Sequence, residues 1–329
     1  MTAMFVYAGI DESGYGPIFG PLVVARSVFT METDCHPALF PDSLWGYLVD
    51  SVCRRVSDDK DLIPVNDSKL LYSAAIGLRH LERGVLPFIK SLYHLPAAAG
   101  ELIKLLAFDD ESVRSPFPWY ADTEDGPVIP SAGDSEQIRL LTENLLVNGE
   151  KQCIRIADLS GAVVFEDRFN RLLEKYPTKA ACSWSFVQGH LSYIWNTYGE
   201  HHPFVVIDRQ GGRKFYESLF AGMFPDTIVG VTETGDNHSA YRIIGKNRSM
   251  DIVLKIQSEQ YHLPAALASM TAKYLRELFM TRFQRYWSRI APDIRPTFGY
   301  FKDGKRFLAE IEPYITSLGI RRETLIRRK

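Results

Sequence analysis

Short apolar runs that end at acidic residues, separated by segments of helical period, constrain the fold of this chain more than any other feature. Residues 5–10 (FVYAGI) and 21–29 (PLVVARSVF) read as two sequential strands joined by a Gly/Pro-rich turn, which predicts a hairpin. From residue 151 onward strand-like and helix-like segments alternate, and 204–208 (FVVID) is a buried strand that ends in an acid. This alternation predicts an α/β fold in which helices flank a mixed sheet.

The C-terminal third continues this pattern with longer elements. Three β-rich runs between 227 and 257 predict a final sheet strand followed by a hairpin. After Pro264 the segment AALASMTAKYLRELFMTRFQRYW predicts the longest helix, and its small residues would let it approach a sheet closely. We read the basic tail, RRETLIRRK, as a solvated helix end rather than a binding patch.

Composition narrows the class of protein. The chain has 329 residues, a formal net charge of −2 and 46% hydrophobic residues, which excludes a disordered or collagen-like protein and argues against a strongly basic nucleic-acid binder. Four cysteines without a C-x-x-C pair indicate neither a zinc ribbon nor a disulfide framework, so we expect a reducing compartment. The N-terminal residues do not resemble a signal peptide, and no apolar stretch approaches the roughly 18 residues of a membrane span. We therefore expect a cytoplasmic protein.

Four acidic residues occupy positions where an element ends or presents a face: Asp11, Glu12, Asp208 and Glu277. A single acid at a strand end is usually a turn or cap residue, so the prediction depends on all four together. Carboxylates at one sheet edge repel each other unless a cation neutralises them, and hard oxygen ligands suit Mg²⁺ or Mn²⁺. Two such ions would activate a water and stabilise the leaving oxygen of a phosphodiester.

Glu277 has a competing interpretation. It shares one helical face with Ser269 and Lys273, and the alternative to a functional role is a solvated Lys–Glu pair, worth only about 0.2–0.5 kcal/mol. The glycine-rich GYGPIFG at 14–20 is a weak dinucleotide fingerprint because a strand, not a helix, follows it. A dehydrogenase is therefore a distant third hypothesis.

Five segments resemble the type 2 ribonucleases H, the ribonuclease HII and HIII group. The string GIDESGYGPIFGPLVVA resembles the opening motif of that family. In the family's order follow NDSKLL, FVVIDRQGG with Asp208, and LPAALASMTAKYLRE with Glu277, while PTFGYFKDGKRFLAEI is a less specific likeness to the closing segment. The resemblance implies one ribonuclease H-like domain over residues 1–329. Long intervals between the motifs indicate insertions near 97–150 and 215–257.

The resemblance also implies the activity and its residues. It implies a two-metal endoribonuclease, using Mg²⁺ or Mn²⁺, that hydrolyses RNA in RNA/DNA hybrids or at ribonucleotides embedded in DNA. Its metal ligands would be Asp11, Glu12, Asp208 and Glu277; its substrate contacts would be Gly14, Tyr15, Gly16, Lys69 and Lys273. Arg213 and Lys214 could line the same groove, and solvated surface charge is an equal alternative for them and for Lys273.

Substrate preference and catalysis both stay open at this point. Tyr15 stands where HII proteins have Arg and HIII proteins have Thr, so this turn does not determine the substrate, and Glu277 looks more like the HIII type. We expect a monomer that binds nucleic acid and no membrane. The alternative is a non-catalytic nucleic-acid-binding or scaffolding protein on the same fold.

Overall fold

The computed structural model describes residues 4–32, 44–56, 60–73, 75–112, 117–121, 128–209 and 213–328. These residues contain nine strands and eleven α-helices. The strands are β1 Met4–Ser13, β2 Leu22–Glu32, β3 Val52–Cys53, β4 Ile63–Pro64, β5 Ile154–Val164, β6 Phe204–Asp208, β7 Ile228–Thr234, β8 His238–Ile244 and β9 Ser249–Lys255. The helices are α1 Leu44–Tyr47, α2 Ser68–Leu71, α3 Arg79–Leu92, α4 Ala99–Leu106, α5 Ser135–Lys151, α6 Glu166–Lys175, α7 Lys179–Tyr198, α8 Glu217–Met223, α9 Leu263–Ile290, α10 Phe301–Ser317 and α11 Arg322–Leu325.

A seven-stranded mixed sheet organises the molecule, in the order β5-β2-β1-β6-β9-β8-β7. Strand β2 runs antiparallel to β1 and β5, which confirms the predicted N-terminal hairpin. Strand β6 runs parallel to both β1 and β9. The predicted fold class, an α/β fold with a mixed sheet flanked by helices, is confirmed.

The predicted order of the last three strands is wrong. The final strand, β9, pairs with β6 inside the sheet, and the hairpin of β7 and β8 precedes it and extends the sheet outward. Burial explains the difference. Alternate residues of β9 (Met250, Ile252 and Leu254) are fully buried, whereas β7 is largely exposed, as suits an edge strand.

Alternate residues of the central strands feed two hydrophobic cores, one on each face of the sheet. From β1, Tyr7 packs into the core that contains α3, α5 and α9, whereas Val6, Ala8 and Ile10 pack into the core that contains α7 and α8. Strand side chains alternate between faces with a period of two, so Asp11 follows Tyr7 on the α9 face.

Helix α9 crosses β1 at very close range, as its small residues predict. A Cβ atom added to Gly9 would lie 2.2 Å from the backbone nitrogen of Ala265, and the Ser27 hydroxyl donates to the carbonyl of Pro264 at 2.7 Å. The start of the helix is therefore anchored on β1 and β2, and its next turns extend over the strand end that carries Asp11.

Three further findings bear on the sequence expectations. No helix of the described residues is long and apolar enough to cross a membrane. Cys53 and Cys182 are free thiols, but Cys153 is disulfide-bonded, which the cysteine spacing does not predict. In the basic tail, Arg327 is only 2% exposed, so the reading of this tail as wholly solvated is wrong at that residue.

Candidate active site

Two carboxylates meet at the carboxyl ends of the parallel neighbours β1 and β6. The strand register pairs Ile10 with Ile207, so Asp11 and Asp208 follow side by side on strands that lie about 4.8 Å apart. Asp11 is 7% exposed. Burial raises the pKa of Asp11 well above its usual range, and repulsion from Asp208 raises it further. The sheet therefore brings together two of the predicted acids in an environment that opposes their simultaneous ionisation.

A third carboxylate, Glu259, joins them although the sequence analysis does not single it out. It lies in a 3₁₀ turn, Ser258–Gln260, between β9 and α9 and is 5% exposed. Burial raises the pKa of Glu259 to about 7, with a further contribution from Asp208, and its charge in turn raises the pKa of Asp11. The sequence signal for Glu259 is weaker, because it lies in a short turn after the end of β9, whereas Asp11 and Asp208 lie within the last residues of their strands.

Backbone contacts hold this acidic edge in place. The amide of Ser258 donates to Oδ1 of Asp208 at 3.3 Å, which joins the Glu259 turn to β6. Burial raises the pKa of Asp208, although this hydrogen bond opposes the shift. The amide of Glu12 donates to Oδ1 of Asp11 at 2.7 Å. Glu12 is adjacent to Asp11 on β1, and its charge also raises the pKa of Asp11.

The structure places Glu277 in a different environment. Its Oε1 accepts from Lys273 Nζ at 2.7 Å and from Arg276 Nη1 at 2.8 Å, and its Oε2 accepts from the Tyr72 hydroxyl at 2.7 Å. Burial raises its pKa, but Arg276 and Lys273 outweigh burial, so the net shift is downward. In the described part of the chain, Glu277 is not among the groups that chiefly shift the pKa of Asp11. It forms a buried ion pair, neither the solvated pair nor the grouping with Asp11 that the sequence suggests.

Lys69, by contrast, faces the acidic edge. Partial burial disfavours its charge, but Asp67, Glu259, Asp11 and Asp208 outweigh burial and raise the pKa of the Lys69 ammonium. Its helix begins at an N-cap in which Oδ1 of Asp67 accepts from the Lys69 amide at 2.9 Å. The structure therefore brings Lys69 to the predicted acids, whereas Lys273 is engaged with Glu277.

Helix α2 also contacts α9 beside Asp11. The hydroxyls of Ser68 and Ser269 lie 3.2 Å apart, and a hydrogen bond from Ser269 to Asp11 partly offsets the rise in the pKa of that carboxyl. Ser269 therefore links both helices to the strand that carries Asp11.

The Gly14-Tyr15-Gly16 turn borders the site directly after Glu12. Gly14 has φ +85°, and a Cβ atom there would lie 2.6 Å from the carbonyl oxygen of Pro21, so only glycine fits. Gly16 has open space around it. Burial raises the pKa of the Tyr15 phenol, and the charge of Glu12 raises it further, which places Tyr15 beside the acidic edge.

The two weaker candidates lie on the surface. Both are exposed; the Arg213 guanidinium is 5.8 Å from the ring centre of Tyr216, and Lys214 Nζ is 3.3 Å from Oδ1 of Asp236. Residues 210–212, part of the FVVIDRQGG segment, lie outside the described residues.

The oxygen ligands at this edge of the sheet determine which metal ion it could bind. Within the described ranges, no three His, Cys, Asp or Glu side chains already stand in a metal-binding arrangement. Asp11, Asp208 and Glu259 nevertheless supply carboxylate oxygens from three separate segments, and their raised pKa values report mutual repulsion and burial. A divalent cation with a preference for oxygen ligands would relieve that repulsion, so the residues present fit Mg²⁺ or Mn²⁺.

The raised pKa of Glu259 predicts how stability depends on pH. Between its ordinary value of 4.5 and about 7, the folded protein holds a proton at Glu259 that the unfolded chain has released. The free energy of unfolding contributed by this group therefore falls as pH rises through that window. We expect metal-free denaturant titrations to show this fall, and Glu259→Gln to reduce its slope. The exposed Glu217→Gln is the matched control; an equal slope in wild type and Glu259→Gln would contradict the prediction.

Among known proteins, only solved structures show a similarity to this chain. No family model and no curated protein matches the chain. It is similar to the PCNA:RNase HII complex from Archaeoglobus fulgidus, at 13% identity and a TM-score of 0.42, over 98% of this chain and 94% of that one. Bst-RNase HIII in complex with Mn²⁺ matches at 14% identity and a TM-score of 0.43, over 99% and 67% of the two chains. Ribonuclease H2 from Pyrococcus horikoshii OT3 matches at 11% identity, over 97% and 92%. Likenesses this weak carry no argument about activity, and the fold assignment rests on the strand order.

Proposed function

We propose that this protein is a metal-dependent endoribonuclease that hydrolyses RNA in RNA/DNA hybrids or at ribonucleotides embedded in DNA. The observation that carries the proposal is the convergence of Asp11, Asp208 and Glu259 at one sheet edge, with the Lys69 ammonium beside them. Buried carboxylates that raise each other's pKa cost folding free energy, so their grouping favours a binding role over a structural one. A monomeric protein that acts on duplex nucleic acid is part of the same proposal.

Four carboxylates would hold the metal: Asp11, Glu12, Asp208 and Glu259. This set replaces Glu277 by Glu259, because the charge of Glu277 is already balanced by Lys273 and Arg276. When bound, two Mg²⁺ or Mn²⁺ ions would supply an activated water and stabilise the leaving oxygen.

Residues around the carboxylates would position the substrate. The Lys69 ammonium is held close to the acids, where it can attract a backbone phosphate. The Gly14-Tyr15-Gly16 turn would line the ribose, whose 2′-hydroxyl distinguishes RNA from DNA. Ser269 bonds to the Asp11 carboxyl and so restricts its orientation. Each of these contributions is positional, since correct placement of the reacting groups provides much of the rate enhancement.

The test is cleavage of three labelled duplexes in Mg²⁺ or Mn²⁺: an RNA/DNA hybrid, DNA with one ribonucleotide, and DNA alone. We expect cleavage only of the duplexes that contain ribonucleotides. Asp11→Asn should abolish it while the protein stays folded, because the change removes a charge from a repulsive group. The matched control is Asp226→Asn, because Asp226 is exposed and lies between α8 and β7. This variant should cleave as wild type does.

Metal binding separates the enzyme from the scaffold alternative. The thermal unfolding midpoint should rise on addition of Mn²⁺ in wild type and Asp226→Asn, and less in Asp11→Asn. A folded protein that cleaves no duplex and gains no stability from either metal would overturn the proposal. It would leave a non-catalytic binding role on this fold.

A further inference from the structure

A buried arginine from the C-terminal end of the described chain contacts the turn that borders the acidic site. Arg327 is 2% exposed, and its Nη2 donates to the carbonyl oxygens of Gly14 and Pro17, the latter at 2.5 Å. The residues are more than 300 positions apart in sequence. One guanidinium nitrogen thus joins the two sides of the turn.

The backbone around Arg327 is fixed from two sides. Its amide donates to the carbonyl of Ile18 at 2.9 Å, which pairs the C-terminal segment with the end of the same loop. On α6, the Asn170 side-chain amide donates to the carbonyls of Glu323 and Ile326, and its Oδ1 accepts from the Arg328 amide at 2.7 Å. The arginine therefore projects from an ordered segment rather than from a free end.

Two other buried charges hold the far end of the same loop. Oε1 of Glu166 accepts from the Gly20 amide at 2.8 Å, and Arg276 Nη2 donates to the carbonyl of Phe19 at 3.2 Å. Gly20, like Gly14, has a positive φ that only glycine adopts easily. Buried side chains from α6, from α9 and from the C-terminal segment thus determine the backbone shape of the loop between them.

Stability alone does not account for the burial of Arg327. Among the described residues, its Nε and Nη1 have no hydrogen-bond partner, and its guanidinium carbon lies 5.1 Å from the ring centre of Phe169. Burial and the nearby Arg276 both disfavour its charge, while Glu166 favours it. A buried, incompletely bonded cation reduces stability relative to an apolar side chain of similar size. Its placement against two carbonyls of the turn therefore points to a requirement for the shape of the turn.

We propose that Arg327 is a positioning residue that sets the Gly14–Pro17 backbone for contact with the substrate, so that the C-terminal segment is part of the recognition site. This inference rests on the proposed function for the identity of the substrate, a ribonucleotide within a duplex. The tether itself is independent of that identity.

The experiment compares Arg327→Ala and Arg327→Lys with Arg328→Ala, the exposed neighbouring residue. Lysine keeps the charge but cannot reproduce the planar guanidinium, so it tests geometry in a variant that should fold even if the alanine variant does not. For each variant we would measure the thermal midpoint, kcat and KM on duplex DNA with one ribonucleotide, and amide hydrogen exchange at residues 13–16.

We expect both Arg327 variants to lower kcat by about 100-fold, with a smaller change in KM, because a shift of about 1 Å in a positioning group can have that effect. Exchange at residues 13–16 should become faster than in wild type, and Arg328→Ala should match wild type in every measurement. A folded Arg327→Lys with wild-type kcat and wild-type exchange would overturn the inference. Faster exchange in a protein whose wild type cleaves no duplex would retain the tether and reject the proposed function.

Discussion

Glu259→Gln is expected to lower the cleavage rate of ribonucleotide-containing duplexes by at least about 1,000-fold, a loss of several kcal/mol of transition-state stabilisation. Glutamine keeps the size of the side chain but removes the charge that would hold a divalent cation beside Asp11 and Asp208. Fold stability should be unchanged or higher near neutral pH, because repulsion among these groups is reduced. Single-turnover cleavage rates and thermal midpoints check both parts.

The control for this variant is Glu217→Gln, which removes a carboxylate from an exposed position of α8. It should keep wild-type cleavage and stability. If Glu259→Gln cleaved at the wild-type rate, Glu259 would have no part in the metal site. The proposal that Asp11, Asp208 and Glu259 together bind the metal would then be wrong.

Glu277→Gln is expected to act on stability instead, with a loss of about 3–5 kcal/mol in the free energy of unfolding. The substitution leaves Lys273 and Arg276 as buried cations without a counter-charge. Arg276 is 1% exposed, so water cannot replace the lost carboxylate. Denaturant titration measures the effect directly.

An exposed ion pair provides the comparison for Glu277→Gln. Glu143 pairs with Arg139 on the surface of α5, and its side chain is 56% exposed. Glu143→Gln should change stability by no more than about 1 kcal/mol, as is typical of surface pairs. A Glu277→Gln variant with wild-type stability, no cleavage and no response to Mn²⁺ would instead restore Glu277 as a metal ligand.

The contrast between these two glutamates shows what a sequence pattern can resolve in a site. Asp11 and Asp208 are identified from sequence because each follows an apolar run, and strand order then brings them together. Glu259 meets a similar criterion but lies in a short turn after β9, where the sequence offers no periodicity to distinguish it from a loop residue. Glu277 attracts attention through its helical spacing to Lys273, and that spacing is equally compatible with the buried ion pair that the structure shows.

The sheet itself shows a comparable division. The apolar runs predict strands β1, β2, β6 and β9, since the apolar character of each run reflects its burial. The sequence does not show which of the last three strands pairs with β6, because all three are β-rich segments of similar length. In the folded chain β9 pairs with β6, since its alternate residues are buried, and the hairpin of β7 and β8 lies at the edge of the sheet.

The sequence by itself determined the α/β class, the N-terminal hairpin, the long helix α9 and two acids near strand ends. It could do so because each helix or strand buries residues at a regular spacing, and that spacing appears as an apolar pattern in the sequence. Only the tertiary structure decided that Glu259 joins Asp11 and Asp208, that Glu277 is neutralised by its own helix, and that Arg327 returns to the turn after Glu12. These outcomes depend on which charges are desolvated together. That is a property of distances between remote segments, and no local pattern in the chain records it.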